Sequence, residues 1–96
     1  TVSVFNGHDI MVVKVEGEFN WHTHDDTDDF FLVLDGEMVM DIEDASHTVK
    51  AGELFIVPKG VTHRPRAETE CKVLLIEPKG VPNTGDPETA ASKPRI

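Results

Sequence analysis

Nowhere in this chain do apolar residues recur at the i, i+3, i+4, i+7 spacing of a helix for three turns, so helix is at most a minor component. Val, Ile, Phe and Thr instead crowd into short segments divided by turn residues, which is the pattern of strands. The segments place strands at 2–5, 10–15, 19–24, 29–34, 37–42, 47–50, 54–57, 63–66 and 71–76. Asp35-Gly36, between two apolar segments, reads as a two-residue hairpin, because Gly tolerates the positive φ of a type I′ turn. Asn6-Gly7, residues 43–46 and Pro58-Lys59-Gly60 supply further turns. Eight or nine strands this short must curl or stack to bury one face, which predicts an all-β barrel or sandwich.

The length of 96 residues admits one domain. Residues 77–96 hold four of the six prolines and no apolar periodicity, so the folding unit is read as 1–76, followed by a Pro-rich C-terminal tail at 77–96. A unit of that size buries only about 60–65% of its unfolded surface, and pairing with a second copy would add stability. Nine Lys and Arg against eighteen Asp and Glu leave a net charge of −9, which repels a phosphate backbone; no nucleic acid partner is expected. The longest apolar runs, 30–34 and 73–76, fall far below the ~20 residues of a membrane-crossing helix, so no membrane partner is expected either. Cys71 is the only cysteine; it cannot form an internal disulfide and suits a reducing cytoplasm. The opening residues carry no recognisable targeting leader.

His22-Thr23-His24 carries the chemistry. In an extended strand, residues two apart point to the same side about 6.6 Å apart, so both imidazoles converge while Trp21 and Thr23 face away. Asp29 opens the next strand, with Phe31 and Val33 as its face-mates. If that set looks inward, Phe30, Leu32 and Leu34 look outward and need cover, which is the sequence argument for a homodimer. His63 follows the Pro58-Lys59-Gly60 turn. Three histidines and a carboxylate can surround one divalent first-row transition metal, with Fe, Mn, Ni and Zn all compatible.

At these residues the chain resembles the cupin superfamily, specifically its small single-domain members, whose two motifs run roughly G(X)5HXH(X)3–4E(X)6G and G(X)5PXG(X)2H(X)3N. Gly17, His22, His24, Asp29 and Gly36 follow the first motif; Gly52, Pro58, Gly60 and His63 follow the second. Gly17 stands one residue closer to His22 than the pattern asks, Asp29 replaces the usual Glu, and Ala67 replaces the usual Asn. The resemblance implies a small antiparallel barrel of jelly-roll topology, often paired as a homodimer, with metal held by His22, His24 and His63 and by Asp29 in the carboxylate position.

The remaining candidates read as structural. His8 and His47 match no pattern. Asp25, Asp26 and Asp28 form an acidic loop, and Phe30 stands where a calcium loop starting at Asp25 needs Gly. Trp21 is read as core or interface, Met38 and Met40 as barrel wall, Cys71 as a buried inert thiol, and Arg64 and Arg66 as surface or interface charges.

Together these features predict a metal-binding protein that acts by Lewis-acid activation on a small polar or carboxylated molecule. The alternative, from another class, is a non-catalytic ligand-binding or sensing module with the metal absent or structural. The chain has no Tyr, and few groups beyond the ligands are available to move a proton. Asp29, if released from the ion, is the candidate general base, on the expectation that burial raises its pKa.

Overall fold

Strands β2 (His8–Glu18) and β7 (His63–Pro78) form the spine of the molecule. They pair antiparallel from His8↔Pro78 to Glu18↔Arg66 and run through both layers of the fold. The structure is a computed structural model and describes residues 2–79. The other strands are β1 (Ser3–Phe5), β3 (Asp29–Asp35), β4 (Glu37–Ile42), β5 (Ala45–Lys50) and β6 (Leu54–Val57). Among the described residues there is no helix, as the apolar spacing predicts.

One layer runs β1-β2-β7-β3-β6, and the second is built by β5 and β4 against the first part of β7. The free edge of β7 serves both layers: residues 63–66 pair with β4 and residues 72–76 with β3. The change of partner coincides with register shifts between Val15 and Gly17 on β2 and between Val33 and Asp35 on β3. An irregularity of this kind bends a strand and increases its twist, which lets β7 turn from one layer into the other. Residues 68–70 are exposed at the bend, yet 63, 65, 67 and 71, 73, 75, 77 all face inward, so the inner face is kept through it. All pairing is antiparallel and the layers fold over one another as a jelly roll, but the ladder does not close into a ring.

Three expectations change. Residues 19–24 are not a strand; a single bridge, His22↔His63, replaces it. The segments 63–66 and 71–76 are one sixteen-residue strand. Asp35-Gly36 is not a hairpin, because β3 pairs with β6 and β7 while β4 pairs with β5 and β7. Gly36 turns a corner between layers, with φ +82° and the space for a Cβ only 3.1 Å from the Glu70 carbonyl oxygen. Two-residue hairpins are found instead at Asn6-Gly7, where both φ values are positive and Phe5 pairs with His8, and at Glu43-Asp44, where Ile42 pairs with Ala45.

Alternation fills the space between the layers with Met11, Val15, Phe31, Val33, Met38, Met40, Val49, Val57, Cys71, Val73 and Leu75. The outer side of the first layer is apolar as well. Ile56, Phe30, Ile76 and Ile10 lie side by side across four strands, and Leu54, Leu32, Leu74 and Val12 form a second row. The tail expected at 77–96 falls outside the described residues apart from 77–79; Glu77 and Pro78 continue β7.

Candidate metal centre

Two irregular segments and the start of one strand bring the predicted residues together. Residues 19–24 dock against the approach to β7 through backbone bonds: Phe19 N–H to Pro65 O (3.1 Å), His22 N–H to His63 O (3.0 Å), His63 N–H to His22 O (3.0 Å) and Gly60 N–H to His24 O (2.8 Å). The turn before His63 is held by Val61 N–H to Pro58 O at 3.2 Å and by Gly60 at φ +81°. Asp28, read as part of a solvated acidic loop, accepts a hydrogen bond from Lys59 N–H at 2.9 Å and ties the two segments together. Both imidazoles of the His-x-His pair turn inward although no regular strand carries them: His22 and His24 are buried, and Trp21 is exposed.

Asp29, His22, His24 and His63 converge at one end of the interior, and all four are buried. Their ligand atoms lie within 4.8 Å of one another. Asp29 Oδ2 is 2.9 Å from His63 Nε2, 3.4 Å from His24 Nε2 and 4.0 Å from His22 Nε2. The His22 and His63 rings are 4.4 Å apart by centroid. Each of these two rings also places Nδ1 at 2.8 Å from a carbonyl oxygen, that of Asn20 for His22 and that of Val61 for His63. A carbonyl only accepts, so Nδ1 carries the proton and Nε2 turns its lone pair toward the centre.

That tautomer leaves a conflict at His63. Its Nε2 meets a carboxylate oxygen at 2.9 Å, yet a neutral imidazole with a proton on Nδ1 has nothing to donate there. A proton held between the two groups, or a metal ion in its place, resolves it. Burial pushes the Asp29 carboxyl up, but hydrogen bonds and charges from His24 and His63 outweigh it and hold the group below its ordinary value. This corrects the expectation of a raised pKa: the direction favours the ionised carboxylate. Burial, against the Asn20 carbonyl, holds His22 below its ordinary value, favouring the neutral ring that a metal requires.

The donor set fits a divalent ion. Two ligand atoms each about 2.1 Å from one ion lie about 3 to 4.2 Å apart, and the contacts of Oδ2 with the three Nε2 atoms span 2.9 to 4.0 Å. Asp29 therefore reaches the imidazoles despite an arm one carbon shorter than the family's usual Glu. Imidazole and carboxylate together suit Fe, Mn, Ni and Zn.

The residues read as structural lie elsewhere. His8 and His47 are exposed, with His8 Nδ1 at 3.0 Å from the Asn6 carbonyl oxygen and His47 beside Phe55. Cys71 is fully buried, and burial raises its thiol pKa. Trp21 is not core: it lies at the surface with the Arg64 guanidinium 4.8 Å from its ring centroid. Arg64 and Arg66 converge on the buried Asp41, at 2.9 Å and 2.8 Å, and Ser46 Oγ donates to the same carboxylate.

Two interior carboxylates escaped the sequence reading. Asp9 and Glu77 are buried and pair in register across β2 and β7, and Glu77 lies one step beyond the Phe30–Ile76 pair, alongside Asp29. Extending the inward alternation of Cys71, Val73 and Leu75 by two residues would have found Glu77.

Comparison with known proteins agrees with this geometry. A family profile described as a cupin domain matches residues 9–77. A cupin-2 domain containing protein from Shewanella frigidimarina is 45% identical, with a TM-score of 0.79 over 80% of this chain and 76% of that one. Protein NMB1881 from Neisseria meningitidis is 38% identical, with a TM-score of 0.74 over 82% of each chain. Among curated relatives, the uncharacterized protein YdbB of Bacillus subtilis is 36% identical over 82% of this chain and 71% of its own length. The 3-hydroxyanthranilate 3,4-dioxygenase of Xanthomonas euvesicatoria is 32% identical over 84% of this chain, which spans about half of that enzyme, 48%. The matched profile, these relatives and the motif residues gathered at one end of the jelly roll place the chain in the cupin family.

Proposed function

We propose that the protein binds one divalent first-row metal through His22, His24, His63 and Asp29 and acts on a small polar or carboxylated molecule. The observation that carries this reading is the convergence of four buried donor atoms, two of them on rings whose Nδ1 faces a backbone carbonyl. A bound ion would supply Lewis acidity toward a substrate oxygen. His22 and His63 hold their Nε2 lone pairs toward the ion, and Asp29 contributes the negative charge that offsets it. An ionised, hydrogen-bonded Asp29 serves better as ligand than as general base; the base role would require its release from the ion. The matched dioxygenases support the substrate class, since 3-hydroxyanthranilate is by its name a small carboxylated molecule.

The same reading includes a homodimer and a cytoplasmic setting. Leu54 and Ile56 are 54% and 41% exposed, and they border the two apolar rows on the outer side of the first layer. Four strands at the usual spacing make that face about 14 Å across, and an apolar patch of this extent is a hazard on a free monomer. A second copy of the same face, related by a two-fold axis, would cover it.

The test is elemental analysis of the purified protein and of His22→Ala/His24→Ala, followed by a substrate screen of the Fe, Mn, Ni and Zn forms. Near-stoichiometric metal in the parent and its loss in the variant is the expected result. Turnover that depends on the ion separates the enzyme from a binding module, whereas a metal-free protein that binds the same ligands equally well would remove the mechanism.

A further inference from the structure

The three imidazoles do not sit on one rigid sheet. His22 and His24 belong to the irregular segment 19–24, and His63 stands where the 58–62 turn enters β7. Across the junction between them, regular pairing amounts to the single bridge His22↔His63. Whether the ligands meet therefore depends on what keeps these segments in register.

The Thr23 and Thr62 hydroxyls meet across that junction, Oγ1 to Oγ1 at 2.7 Å, from positions 39 apart in the chain. Thr23 lies between the two ligands of the first segment, and Thr62 directly precedes the ligand of the second. Both are half-buried while the neighbouring imidazoles are buried, so the pair sits behind the donor atoms and away from the centre. At 2.7 Å this is a well-formed O–H···O bond, and it joins the side chains of the two segments between the His22↔His63 bridge and the Gly60 N–H to His24 O bond.

Resting on the metal site proposed above, we infer that Thr23 and Thr62 form a latch that sets the spacing of the ligand-bearing segments, making both positioning residues for metal retention. Neither touches the ion or the substrate. A coordination sphere must be held to within about 0.5 Å of its working geometry, and a side-chain hydrogen bond set among the few backbone bonds that join these two segments is a local way of doing so. Because the interaction is a single bond, removing either hydroxyl should do the same damage as removing both.

The experiment compares the full chain with Thr23→Val, Thr62→Val, the double variant and Thr23→Ser. One arm measures Zn2+ and Mn2+ affinity by competition with a chelator. The second follows amide hydrogen exchange of His22 and His63 in the metal-free protein, and urea unfolding reports global stability. Each valine variant, and the double, is expected to weaken metal binding by about tenfold, the lower end for an outer-shell partner. Serine should restore binding to within about twofold, the His22 and His63 amides should exchange faster in the valine variants, and the urea midpoint should hold. Valine variants that bind metal like the parent overturn the latch, as does a serine variant as weak as the valine one, or an affinity loss matched by an equal loss of global stability. If the parent itself binds neither ion, the metal site fails; unchanged exchange in Thr23→Val then overturns the latch separately, and faster exchange confines its role to the junction.

Discussion

Asp29 Oδ2 lies 2.9 Å from His63 Nε2, although the two stand 34 positions apart along the chain. The contact joins the first residue of β3 to the first residue of β7, and it brings the carboxylate of one cupin motif onto the imidazole of the other. Because His63 Nδ1 already faces the Val61 carbonyl, the pair calls for a proton or a metal ion between its two groups.

The proposed four-residue site predicts the metal content. The purified protein should carry about one ion per chain, and Asp29→Asn or His63→Ala should lower affinity by at least about tenfold, because each removes a donor from a four-atom set. Elemental analysis and chelator competition read the outcome; full occupancy in His63→Ala would dismiss the site.

Acid should empty the site and weaken the metal-free fold. His22 has a folded pKa below its ordinary 6.5, so the unfolded chain binds more protons and stability falls as pH drops from 6.5 toward the folded value. Asp29 is also depressed, below an ordinary 3.8; its contribution is complete above 3.8 and disappears as pH falls through the folded value. Thermal melts of chelator-treated protein should therefore show a falling midpoint below pH 6.5, with a further fall in the acid range below 3.8. A flat profile from pH 7.5 to 5 would contradict the buried neutral His22.

On the outer side of the second layer, Asp41 anchors Arg66, Ser46 and Arg64, and the Arg66 and Ser46 hydrogen bonds hold its carboxyl far below the ordinary range. Asp41→Ala should cost about 1–2 kcal/mol, since it leaves charged donors without their acceptor while water still reaches the arginines. Urea unfolding at pH 7 measures the cost, and the difference from the parent should shrink as pH falls well below 3.8, where the parent's own Asp41 begins to protonate.

Gly36 should not tolerate a side chain. At φ +82°, with the Cβ position 3.1 Å from a backbone oxygen, Gly36→Ala is expected to lose about 1–3 kcal/mol. Gly52 has a similar φ of +84° but nothing within 4 Å of its Cβ position, so Gly52→Ala serves as a control that pays for strain alone.

The apolar face predicts an assembly. Light scattering behind size exclusion should give twice the chain mass, and Leu54→Asp, at a position already 54% exposed, should give a monomer that remains folded. A parent that is monomeric at micromolar concentration would refute the dimer.

Much of this was written in the chain itself. Turn residues and β-branched segments determined an all-β fold, because local propensity and period two act over a few residues. The spacing of Gly17, His22, His24, Asp29 and Gly36, and of Gly52, Pro58, Gly60 and His63, carries the resemblance that singles out the four donor residues. Tertiary structure decided how those pieces meet. Residues 19–24 look like a strand but find only one bridge: they follow β2 along the same edge of β7, Phe19 bonding to Pro65 and His22 to His63, and β7 begins at His63. Asp35-Gly36 looks like a hairpin but becomes a corner, because β3 and β4 each gain more by pairing with other strands. The state of Asp29 was likewise out of reach: burial alone would raise its pKa, and only the three-dimensional approach of His24 and His63 reverses the sign. Sequence spacing carries which donor atoms a chain can bring to a centre, whereas charge and register arise from contacts between segments dozens of residues apart.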